Sequence, residues 1–84
     1  MRTVAEVSHP LMRISITSWN GKYAIRYELD RYEQVFKVPE TDVSGLEAMT
    51  AMAEALAEEA LLGFVAMRDR FTPHLRKAMG EHLE

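Results

Sequence analysis

From Leu11 to Trp19 the apolar residues Met12, Ile14 and Ile16 alternate with Arg13, Ser15 and Thr17. A period of two marks a strand with one face buried. Asn20-Gly21 follows, and these are the residues that best tolerate the positive φ angles of a tight hairpin turn. Tyr23, Ile25, Tyr27 and Leu29 then resume the alternation. A two-residue turn sets Ile16 opposite Ile25, Ile14 opposite Tyr27 and Met12 opposite Leu29, and brings Arg13 against Glu28 on the other face.

Asp30-Arg31 reads as a second tight turn, after which Gln34, Phe36 and Val38 alternate with Glu33, Val35 and Lys37. This third strand places Phe36 opposite Ile25 and Val38 opposite Tyr23. It also sets Glu28 against Glu33, a like-charge pair that Arg13 or Arg26 can relieve. Pro39 has no amide to donate and ends the ladder, so residues 40–43 form a crossing loop.

Ser44-Gly45-Leu46-Glu47 has the form of a capping box and predicts a helix beginning at Ser44. Leu46, Met49, Ala53, Leu56, Ala60, Phe64, Met67 and Phe71 recur at spacings of three or four, joined by Met52, Leu61 and Val65 in a wide apolar stripe. Gly63 interrupts it and costs a helix about 1 kcal/mol relative to alanine. Apolar residues resume at once, so continuity is favoured over a kink at Gly63. Thr72-Pro73 reads as a cap with proline in the first turn, which predicts a short last helix closing near Gly80. Residues 1–9 fit either a flexible arm or an edge strand, because Val4 and Val7 fall on opposite faces of an extended chain and Pro10 keeps His9 out of a helix.

The fold class expected is therefore α+β: a three-stranded antiparallel meander over 11–38, then a helical part over 44–80, with the long and the short helix packed on one sheet face. Ile14, Ile16, Ile25, Tyr27, Phe36, Leu56, Ala60 and Phe64 are the predicted core.

Composition adds a constraint on stability. With 84 residues the chain is one domain, and 48% hydrophobic content is enough to build a core. A domain this short buries only about 60 to 65% of its unfolded surface, so a single-chain core is marginal and dimerisation is one remedy. The absence of cysteine excludes disulfides, thiolate metal sites and thiol chemistry. Neither a secretory signal nor a transmembrane run is legible, so a cytoplasmic location away from membranes is expected. Leu83-Glu84 resembles a cloning scar and is set aside.

Catalytic chemistry finds little support. His9, His74 and His82 are too scattered for a metal site, and Ser8, Ser15, Ser18 and Ser44 lie in no nucleophile elbow. Four glycines at 21, 45, 63 and 80 make no phosphate-binding loop. Glu54, Glu58 and Glu59 cluster without an inward histidine and read as a solvated helix face, while Met49, Met52, Met67 and Met79 read as core filler. The expectation is a non-enzymatic protein without cofactor or metal.

Two association surfaces stand out. Between Glu40 and Glu59 there are six acids and no base, whereas Arg68 to Lys77 holds four bases and one acid. This order suits the helix dipole, and two such helices side by side and antiparallel would also pair acidic with basic halves. A helix over 44–70 would reach about 40 Å against strands of about 26 Å, leaving Phe64, Val65, Met67 and Phe71 on an overhang. A homodimer is therefore expected, using these four residues with Glu54 and Glu58 against Arg68 and Arg70; an unidentified protein partner is also compatible. The alternative is single-stranded nucleic acid stacked on Trp19 and held by Arg13, Arg26 and Lys37 on the open sheet face.

Overall fold

The computed structural model describes residues 1–83, with side chains through Gly80. Glu84 of the Leu83-Glu84 pair and the side chain of His82 lie outside the described residues. Four antiparallel strands run in sequence order, β1 (Arg2–Val7), β2 (Arg13–Trp19), β3 (Lys22–Leu29) and β4 (Tyr32–Pro39). A single 3-10 turn over Glu40–Asp42 leads to one helix, α1 (Leu46–Leu83).

The two hairpins have the register that their side chains demand. Ile16 pairs with Ile25, Ile14 with Tyr27 and Arg13 with Glu28 across β2 and β3. Across β3 and β4, Ile25 pairs with Phe36 and Tyr23 with Val38. Asn20 and Gly21 both take positive φ, at 53° and 77°, and Asp30 takes 55° in the second turn. Glu28 and Glu33 are cross-strand partners, and each has a cation nearby: Arg13 lies 3.9 Å from Glu28, and Arg26 lies 3.5 Å from Glu33.

Three features depart from the sequence expectation. The sheet has four strands, because residues 2–7 form an edge strand paired with β2. A bulge between Thr3 and Ala5 reconciles Val4 and Val7: the extra residue shifts the alternation, so that Val4, Ala5 and Val7 all pack against the core. The helix begins at Leu46 and not at Ser44. Gly45 holds the cap position with φ 152°, a backbone region few other residues enter, and its carbonyl accepts from the Met49 amide at 3.3 Å. Finally, there is no separate last helix. α1 continues for 38 residues through both Gly63 and Thr72-Pro73. Pro73 is exposed and, at about 100° per residue, lies opposite the buried Phe64 on α1, so the amide it lacks is missing from the outer side of the helix.

The core lies between the inner sheet face and the first half of α1: Met12, Ile14, Ile16, Ile25 and Tyr27 from the strands, and Met49, Ala53, Ala57, Ala60 and Phe64 from the helix. Three alanines at the contact let the helix approach closely. Two side chains exploit that approach by reaching its backbone. The Tyr27 hydroxyl donates to the Ala53 carbonyl at 2.8 Å, and the Gln34 amide donates to the Ala60 carbonyl at 2.7 Å. Phe36, expected in the core, is 40% exposed, and Leu56 is only half-buried. Phe36 does lie on the covered face, edge-on to Tyr27 at 6.1 Å, but β4 is the outermost strand and one helix is too narrow to shield it fully.

Candidate functional site

At Gly63 the Gln34 side chain of β4 reaches α1. A Cβ there would stand 3.0 Å from Gln34 Nε2 and 3.1 Å from Oε1, so the missing side chain leaves the notch that Gln34 occupies. Beyond this notch the helix runs off the end of the sheet. A helix of 38 residues is about 57 Å long, more than twice the roughly 26 Å of an eight-residue strand, and the molecule measures 54 × 25 × 18 Å.

Where helix and sheet part, an open groove of about 740 Å³ is lined by Arg31 from the β3–β4 turn, by Tyr32 at the start of β4 and by Met67, Arg70, Phe71 and His74 from α1. Tyr32 meets Phe71 edge-on at 6.1 Å, and the Arg31 guanidinium lies 5.7 Å from the centre of the Phe71 ring. The floor is thus aromatic and apolar, while the rim is cationic. Among the described residues the ion pairs involve Arg13, Arg26 and Arg68, and neither Arg31 nor Arg70 joins one. Such a groove suits an apolar segment that carries carboxylates.

The structure divides the residues expected at a dimer interface. Phe64 is 2% exposed beneath the sheet and has no surface to present. At about 100° per residue, Glu54, Glu58 and Val65 share one flank of α1, whereas Met67, Arg70 and His74 share the flank on the β4 side, with Phe71 between them and the sheet. Arg68 lies nearer the first flank and is 3.8 Å from Asp69. Sequence reading missed Arg31, Tyr32 and His74. The first two lie in and directly after a turn that helical periodicity does not reach, and His74 lay beyond the expected helix break.

The open sheet face carries Trp19, 64% exposed, on the same side as Arg13, Arg26 and Lys37, each in a different cross-strand row. Arg13 is shared between Glu6 at 3.8 Å and Glu28, and Arg26 is held beside Glu33, so two of its cations are already countered. Among the described residues Lys37 is free of such pairing, and it joins Lys22 in a small hollow of about 200 Å³ beside Trp19.

No group of three or more metal-ligating side chains converges among the described residues, and Glu54, Glu58 and Glu59 are exposed. His9 braces its own loop, since its Nδ1 accepts from the amides of Leu11 and Met12 at 3.0 and 3.2 Å and so fixes the β1–β2 connection. Burial pushes the Tyr27 phenol above its ordinary pKa, and its hydroxyl donates to the Ala53 carbonyl. Among the described residues no helix is long and apolar enough to cross a membrane. In comparisons with known proteins, no family model, curated protein or solved structure matches the chain significantly.

Proposed function

We propose that the protein acts by self-association, as a homodimer joined along the β4-side flank of α1, and has no catalytic role of its own. The observation that carries this reading is the overhang of α1. Met67 is half-buried and Phe71 is 41% exposed on a helix that has outrun its sheet. A second helix laid antiparallel would cover these apolar positions and set the acidic first half of one chain, with Glu59 on this flank, near Arg70 of the other. Nucleic-acid binding at Trp19 is the weaker reading, because Arg13 and Arg26 already have carboxylate partners.

Multi-angle light scattering over a range of concentrations tests the proposal. The expected mass is twice the 9.6 kDa of the chain, falling toward the monomer in Phe71→Ala, which removes the apolar ring that the contact would cover. A wild-type protein that stays at the chain mass at every concentration removes the reading.

A further inference from the structure

The two edges of the sheet are not equivalent. β1 is interrupted by its bulge, which twists the strand and spoils it as a template. β4 pairs with β3 through eight consecutive partners without a break, and its only proline is its last residue. Val35 on the outer face and Phe36 on the inner face are 41% and 40% exposed, so each face of this edge presents an apolar side chain.

The direction of the β4 backbone groups follows from the turn. The pair that flanks a two-residue hairpin turn, here Leu29 and Tyr32, exchanges both backbone bonds, and bonding pairs then alternate. Tyr32, Gln34, Phe36 and Val38 therefore bond toward β3. The Glu40 amide, next in that series, donates to the Gly21 carbonyl at 2.9 Å, as this phase requires. Glu33, Val35 and Lys37 direct their amides and carbonyls outward, where no strand of the described residues lies.

We infer that a second copy of this chain adds at β4, antiparallel and edge to edge, with Val35 opposite the partner's Val35 and Glu33 opposite the partner's Lys37. The occupant is a second copy because the edge is complementary to itself. In this register every outward-bonding residue meets another, giving about six backbone hydrogen bonds. Glu33 and Lys37 form two opposite-charge pairs related by symmetry, Tyr32 meets Val38, and Gln34 meets Phe36. Sliding the strands by two residues in either direction keeps the backbone phase but sets the charges against Val35, Arg31 or Pro39. The two sheets become one of eight strands, with both copies of α1 on the same face and antiparallel. The inference rests on the self-association reading and names the surface that begins it.

Paired charge variants test the register. Glu33→Lys alone and Lys37→Glu alone each place like charges opposite one another twice, and each should weaken the dimer about ten-fold by analytical ultracentrifugation. Mixed in equal amounts, the two variants restore both opposite-charge pairs, and a heterodimer of wild-type affinity is expected. Val35→Pro removes an outward amide that β3 does not use, so it should give a folded monomer with the wild-type circular dichroism spectrum. If the wild type is dimeric and these variants dimerise equally well, or the mixture shows no recovery, the edge pairing is wrong while association through α1 stands. A monomeric wild type overturns both.

Discussion

Gly63 and Gln34 are one device made of two residues. Alanine at 63 favours a helix by about 1 kcal/mol, but its methyl would collide with the amide that bonds Ala60. Gly63→Ala is therefore expected to leave stability unchanged or lower in the wild type and to raise it by about 1 kcal/mol in a Gln34→Ala background, read from urea midpoints; equal effects in the two backgrounds would dissolve the coupling. Tyr27 makes a pH-dependent contribution of known sign. Its phenol is held protonated in the fold, above its ordinary pKa near 10. The folded state thus binds the proton more tightly than the unfolded chain, so this stability is complete below about pH 10 and declines as pH rises through the folded value. Tyr27→Phe should flatten that alkaline decline and cost about 1 kcal/mol at neutral pH. A parallel decline in the variant would assign it to other groups. Gly63 was readable as an interruption but not as a notch, since the residue that fills it is 29 positions away in the chain. Phe36 was placed on the correct face and the wrong depth, because alternation reports direction while burial depends on how far a neighbouring element extends.

Among the elements, β2 and β3 were legible because alternation, an Asn-Gly turn and the Arg13–Glu28 pair all specify one register. β1 was ambiguous for a definite reason: a bulge breaks the period on which a strand is recognised. The ends of α1 were misjudged by local rules that were each sound. Ser44 can cap a helix, but Gly45 reaches a conformation closed to most residues and takes the position. Pro73 starts helices often, yet here it lies on the solvent side, where a missing amide is least damaging. The residual strain should be measurable. Pro73→Ala is expected to strengthen the helical signal at 222 nm and to stabilise the turns after Asp69 by up to about 3 kcal/mol. No gain in ellipticity would mean that these turns are held by contacts and not by helix propensity. Of the groove, only Met67, Arg70 and Phe71 were read from the sequence, and Arg31, Tyr32 and His74 joined them once the helix was seen to continue and the turn to fold against it.

The whole molecule is a sheet of modest size crossed by a helix much longer than itself. Such a shape leaves stability divided between what the chain buries alone and what a neighbour covers. A partner that binds only the folded chain shifts unfolding by mass action, so the thermal midpoint should rise by a few degrees for each ten-fold increase in protein concentration. A midpoint independent of concentration, in a sample that scatters as a monomer, would place all the stability within one chain. The irregular first strand then acquires a meaning at a larger scale. A sheet with two regular edges can take up a copy on each side, and growth by that rule has no end short of a fibre. Here the extra residue at Val4 blunts one side. The proposed pairing of β4 with β4 would consume the other in both copies at once, so that such an assembly would close at two and a one-residue irregularity would separate a finite particle from polymerisation.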